Sequence, residues 1–343
     1  MLIKQLLNES AENINVDNIL NNKYFNEFIR PKIDLDMLKA LQELESIEDN
    51  NTLSKDRVRL FKISEAFKNP EGVLFHGSEF GAFETGDIYN MKTRTKSRDS
   101  NELVHHVVND MAEEKFDVKL RNLMFTIQSP SIASDYLNTP YEMFIILPIG
   151  DYTLYFSREY PDFYVDYFRE GYELRELNKK IGQTVSFLIN DYEKQIRELS
   201  GEYDDWTFFK IVQHSIVKHV GYGRFYILNS MNTYDDITKK HDEALNVTTD
   251  FIEFQMDKRK EPLNDAQIKG LKTIVEQILS GYEENIRKAL KKFANDYIKT
   301  IMTTTDPSDV FTSNEIMLEC DKFTVINAMD FINVVEAVRN SHI

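Results

Sequence analysis

Apolar residues recur at helical spacing through residues 1–70. Leu2, Ile3, Leu6 and Leu7 form one short stripe, and Ile19, Leu20, Tyr24, Phe25 and Phe28 form another. Met37, Leu38, Leu41 and Leu44 keep the i, i+3, i+4, i+7 rhythm of a half-buried helix, and Val58, Leu60, Phe61, Ile63 and Phe67 follow it less strictly. Pro31 and Asn50-Asn51 mark breaks. The rhythm changes after the turn Asn69-Pro70-Glu71-Gly72, where Val73–Ser78 reads as a strand. A helix is predicted over about 100–116, with Leu103, Val104, Val107, Val108 and Met111 on one face. The stretch Arg121–Asp151 then runs through a strand at Phe125-Thr126, a Ser-rich turn at 128–131 and a short helical patch carrying Ala133 and Tyr136. It ends in the apolar run Met143–Ile149, a buried strand expected to close at a turn, Gly150-Asp151.

Aromatics crowd 152–167, which is more often core than a base-stacking platform. A long amphipathic helix is expected at about 172–199. Another starts at the Asn264-Asp265 cap, with a stripe from Ile268 and Leu271 through Ile286 and Leu290 to Tyr297 and Ile301. The region 205–255 mixes helix-like and strand-like pieces without a clear assignment. Thr303–Asp309 reads as a loop, Glu315–Leu318 and Lys322–Ile326 as two short strands around Asp321, and 328–340 as a terminal helix.

The formal net charge of −16 argues against a chain that coats nucleic acid or anionic membrane, because both demand a Lys/Arg excess. Nucleic acid is therefore not an expected partner. Cys320 is the only cysteine, so no disulfide can form within the chain and a reducing compartment is expected. The start, MLIKQLLNES, does not read as a signal peptide, and the run Met143–Ile149 is too short to span a bilayer. A soluble protein is expected.

Several residues could carry chemistry. In Phe75-His76-Gly77-Ser78, strand alternation puts His76 and Ser78 on one face and Phe75 on the other. Gly77 permits close approach of a ligand or backbone. A histidine beside a hydroxyl can hydrogen-bond the cis-diol of a ribose, and it can equally be an ordinary strand-end histidine satisfied by its neighbours. Arg94 and Arg98 could meet a pyrophosphate or form a solvated basic loop. His105-His106 and the pair His214/His219 lack metal-ligand spacing.

The order FHGS, LMFT, SIASDY, an apolar strand ending PIGD, and finally SNEIML resembles the ADP-ribosyltransferase superfamily, and most of all its bacteriophage-encoded branch. The resembling segments cover about 73–160 and 310–327. The resemblance implies an α+β fold with a split mixed β-sheet, the transferase-like domain falling in two parts, 71–170 and 303–343, while the apolar spacing adds a helical N-terminal lobe over 1–70. A long, mainly helical insertion over 171–302 separates the parts.

It also implies NAD as substrate. His76 would hold the nicotinamide-side ribose, with Gly77 and Ser78 near the nicotinamide amide. Tyr136 would stack on nicotinamide, and Phe125 and Thr126 would line the second strand. Glu315 would bind the ribose 2′-hydroxyl and stabilise the oxocarbenium-like transition state; apart from the resemblance, Arg94 and Arg98 are candidates for the NAD pyrophosphate, with a solvated basic loop as the equal alternative. The chain departs from the family where a second-strand tyrosine gives way to Met124-Phe125. It departs again at Ser313, which replaces the acidic residue of the arginine-modifying branch and argues against arginine as acceptor. The implied function is transfer of ADP-ribose to a protein by a phage product acting on host proteins, in the host cytoplasm or carried in the virion. The alternative is a catalytically inactive virion or assembly protein with a transferase-like fold.

Overall fold

A computed structural model describes residues 15–47, 55–68, 70–79, 81–94, 102–135, 137–163, 187–199, 209–210, 212–214, 233–257, 264–310 and 313–340. The chain forms two compact units, one comprising Met1–Thr95, Asn122–Phe163 and Thr300–Ile343, the other Lys96–Arg121 and Tyr164–Lys299.

The first unit is α+β. Its helices are α1 (Val16–Leu20), α2 (Leu35–Gln42) and α3 (Lys55–Ala66), and its first strands are β1 (Leu74–Gly77), β2 (Ile88–Asn90) and β3 (Met124–Thr126). In the second unit, α4 spans Glu102–Phe116. The first unit continues with α5 (Pro130–Asp135) and β4 (Met143–Ser157). The second unit adds α6 (Glu193–Glu198), α7 (Tyr234–Asp257) and α8 (Asp265–Thr300), the last ending at the unit boundary. Strands β5 (Ile301–Thr304) and β6 (Ile316–Asn327) and helix α9 (Phe331–Asn340) complete the first unit.

Strands β4 and β6 form the spine of the sheet. They pair antiparallel from Phe144↔Asn327 to Phe156↔Ile316. One edge of β4 is thus occupied by β6, so β1 (Leu74↔Ile146 to Gly77↔Met143) and β5 (Leu154↔Thr304 to Ser157↔Ile301) share the other. On β6, the outer edge takes β2 (Ile88↔Thr324) and β3 (Thr126↔Ile316). The sheet then curls onto itself. Phe75 N–H donates to Ile127 O at 2.8 Å and Ile127 N–H to Phe75 O at 2.9 Å, so β1 meets the chain just past β3.

Every pairing among the described residues is antiparallel, in place of the expected mixed sheet. A connection as long as the one between β4 and β5 can return the chain in either direction, so strand polarity was not readable from the spacing. Gly150-Asp151 is a bulge and not a strand-ending turn. These two residues oppose the single Asp321, because Ile149 pairs with Lys322 and Tyr152 with Cys320, and Gly150 takes φ +82°. Likewise β6 is one continuous strand, not two, since β4 pairs with it on both sides of Asp321. Thr303 and Thr304, expected in a loop, pair with Tyr155 and Leu154.

Pro148 sits in the interval of β4 that neither β1 nor β5 covers. Its carbonyl accepts from Asn22 Nδ2 at 3.0 Å on that open edge, so a residue lacking N–H costs the ladder nothing there.

The run Met143–Leu147 is buried throughout. The N-terminal helices share the sheet's core: Ile19, Phe25, Leu41, Ile63 and Phe67 belong to one cluster with Phe75, Ile145, Val325 and Val334. Burial of each such side chain contributes about 1.5–3 kcal/mol, which is why the amphipathic stripes of this segment pack on the sheet. Phe67 lies edge-on to Phe75 at 5.2 Å, and Tyr24 edge-on to Tyr152 at 5.4 Å.

The described part of the second unit is helical. Asn264 and Gln267 cap α8 reciprocally, each side chain accepting from the other's backbone N–H at 3.0 Å. The buried positions Leu271, Ile274, Val275, Ile278, Leu279, Ile286 and Leu290 follow the predicted stripe. Of the helix expected at 172–199, residues 172–186 lie outside the described residues, and the remainder breaks at Tyr192.

Candidate functional site

Three of the segments that carry the resemblance, FHGS, LMFT and SNEIML, meet at the curl of the sheet, whereas PIGD lies at the bulge opposite Asp321. Phe75 on β1 bridges Ile127, and the β3–β6 register places Thr126 against Ile316. Glu315, one residue before Ile316, therefore continues the row Phe75–Ile127. Neighbouring strands stand about 4.8 Å apart, so β1 and Glu315 are two strand spacings, about 10 Å, from each other.

His76 is half-buried at the end of β1, with Nδ1 2.7 Å from Phe125 O. A carbonyl can only accept, so Nδ1 carries the proton and, in the neutral ring, Nε2 is the acceptor. Phe125 is also covered by Arg94, whose guanidinium carbon lies 5.0 Å from the ring centroid. Arg94 N–H donates to Asn122 O at 2.7 Å, which holds that arginine beside β3. The Thr126 hydroxyl is buried and donates to Ile316 O at 3.2 Å, tying β3 to β6. Its role is in the sheet.

Gly77 has a packing reason. A Cβ there would lie 2.8 Å from Leu137 Cδ2, so the residue after Tyr136 presses on the β1 backbone. Ser78 N–H donates to Glu142 O at 2.9 Å. Tyr136 and Arg98 lie outside the described residues.

Glu315 is half-buried, and its Oε2 accepts from Phe163 N–H at 3.3 Å. Just upstream, Ser313 is buried and donates from Oγ to Ser157 O at 3.1 Å.

Sequence reasoning missed Phe83. From the loop between β1 and β2 its ring packs edge-on against Tyr89 (4.9 Å), Phe144 (5.4 Å) and Phe323 (5.7 Å), and it lies 6.4 Å from the His76 ring. The only local signal was a lone aromatic between Gly81 and Gly86. The contacts of Glu315 with Phe163, and of Ser313 with Ser157, bridge about 150 residues of sequence and left no local pattern.

Two hollows among the described residues lie away from this row: one is lined by Ile33, Leu35, Leu38 and Arg339, the other by Thr249, Leu271 and Val275. Among the described residues no three His, Cys, Asp or Glu side chains converge as a metal site, and no helix is long and apolar enough to cross a membrane. Compared with protein-family models, curated proteins and solved structures, the chain matches none.

Proposed function

We propose that this chain is an NAD-dependent protein ADP-ribosyltransferase, a phage product that acts on host proteins. One observation carries the proposal: β1 with His76, β3 with Phe125, and the strand entered through Glu315 are consecutive neighbours at the curl of the sheet, with His76 tied to Phe125. In this scheme His76 Nε2 and Glu315 bind hydroxyls of the nicotinamide ribose. The bond from C1′ to the nicotinamide nitrogen breaks and its electron pair leaves with nicotinamide. The acceptor atom on the target protein bonds to C1′ and releases its proton. Positive charge grows on the ribose along this path, so a fixed carboxylate stabilises the transition state more than bound NAD. Phe125 and Phe83 offer ring faces and edges to the leaving group.

A second reading, an inactive virion or assembly protein built on the same sheet, is favoured by Phe125, which lacks the hydroxyl of a tyrosine, and by the Thr126 hydroxyl being used within the sheet. The deciding experiment incubates the purified protein with labelled NAD and bacterial lysate, beside Glu315→Gln. Label on protein with the wild type, lost in the variant, supports the transferase. Absence of NAD binding and of nicotinamide release by both proteins refutes it and leaves the structural reading.

A further inference from the structure

The proposed chemistry depends on where the Glu315 carboxylate points, and three hydrogen bonds pin the chain around it. The end of β4 and the segment after it are tied to the segment preceding β6 by Ser313 Oγ to Ser157 O (3.1 Å), Arg158 Nη2 to Asp309 O (3.1 Å) and Phe163 N–H to Glu315 Oε2 (3.3 Å). Ser157 is buried and anchored further: its hydroxyl donates to Thr300 Oγ1 at 2.9 Å and accepts from Tyr160 N–H at 3.0 Å. From the other side, Thr126 Oγ1 holds Ile316 O. Glu315 therefore sits between two fixed points, Ser313 two residues before it and Ile316 one after, on the short run that is not yet in the β6 ladder. Ser313 is the only one of these anchors that is a side-chain donor from the Glu315 segment itself. Ser313 is 2% exposed and its hydroxyl is given to Ser157 O, so it does not meet a substrate.

We infer that Ser313 is a positioning residue: its bond to Ser157 O sets the approach of the Glu315 carboxylate to the nicotinamide ribose, together with the Phe163 N–H that the same segment presents. The inference rests on the transferase reading above. Its consequence is that losing the hydroxyl affects the chemical step and not NAD binding, because the carboxylate is most strongly used when charge develops on C1′. A misplacement of about 1 Å at such a group costs on the order of 100-fold in rate.

The test measures nicotinamide release from NAD by the full chain, for wild type, Ser313→Ala, Ser313→Thr, Glu315→Gln and the double variant carrying Ser313→Ala and Glu315→Gln. The expected result is a kcat about 10–100-fold lower in Ser313→Ala with KM for NAD within about twofold, since supporting contacts around a site carry effects of that size. Threonine, which keeps the hydroxyl, recovers most of the loss. The double variant is no slower than Glu315→Gln alone, because a residue acting through Glu315 has nothing left to position. Wild-type kcat in folded Ser313→Ala overturns the inference while leaving the transferase reading intact, and so does a double variant slower than Glu315→Gln by the full factor. Absence of turnover by wild type overturns both. Should Ser313→Ala fail to fold, Ser313→Cys, nearly isosteric and a weaker donor, takes its place under the same criteria.

Discussion

Gly86 connects the N-terminal helices to the sheet, and replacing it with alanine is a sharp test of that connection. Its N–H donates to Val325 O at 2.9 Å on β6, and its carbonyl accepts from Asn18 Nδ2 at 2.9 Å on α1. The backbone is at φ +86°, and a Cβ would lie 2.3 Å from Asn15 O and 2.7 Å from Asn15 C. Two penalties follow. The left-handed conformation costs a non-glycine residue about 1–2 kcal/mol. Forcing an atom against the Asn15 backbone adds about 1–3 kcal/mol, the usual range for overpacking. The sum, about 2–5 kcal/mol, is a large share of the 5–15 kcal/mol that typically stabilises a domain. Gly81 is the natural control, because it has φ +76° with nothing within 4 Å of its Cβ position, so Gly81→Ala should pay only the conformational penalty. Hydrogen exchange of β6 peptides against urea reads the first unit specifically. The protection midpoint for Gly86→Ala should fall below that for Gly81→Ala by the equivalent of about 1–3 kcal/mol. Equal midpoints for the two variants would refute the claim that the Asn15 backbone closes on Gly86.

Two further predictions concern the β4–β6 spine, where Tyr152 pairs with Cys320 beside the bulge. Burial, reinforced by the Asp321 and Glu319 carboxylates, pushes the Cys320 thiol up to about 12. The native protein at about pH 8 should therefore resist alkylation by iodoacetamide and react fully in urea; rapid labelling of the native thiol would contradict the burial. Burial, with the Asp306 and Glu27 charges adding to it, likewise pushes the Tyr152 hydroxyl from its ordinary 10.0 up to about 12. The native state then favours the protonated phenol, so its contribution is fully present below pH 10.0 and is lost as pH rises toward about 12. Urea midpoints should fall across that window, and Tyr152→Phe should flatten part of the fall; a midpoint independent of pH there would sink the assignment.

Much of the local architecture was legible from residue order. The stripe of α8 is visible because helix geometry converts a 3.6-residue period directly into a buried face, and its start at Asn264 because asparagine caps helices. Strands β1, β3 and the apolar core of β4 were legible for the same kind of reason. The candidate residues were named from the sequence, and the structure places some of them side by side. His76, Phe125 and Glu315 stand on neighbouring segments, whereas Tyr136 and Arg98 fall outside the described residues. Phe83 and the Ser313–Ser157 bond were invisible, because each partner is ordinary in its own neighbourhood and acquires meaning only from the other.

The sequence by itself determined the helices of α2, α4 and α8, the strand character of β1 and β3, and the burial of the apolar run Met143–Leu147, since those properties follow from the spacing of apolar side chains along a few turns or pleats. It did not determine that Gly150-Asp151 would be absorbed as a bulge, that β6 would run unbroken through Asp321, or that β1 and β3 would join and curl the sheet. Those outcomes depend on what lies across the ladder. A glycine and an aspartate can end a strand or bulge within it at similar local cost, and the intact partner strand decides which. Contacts between residues more than a hundred positions apart in the chain selected one arrangement from several that local preferences allowed.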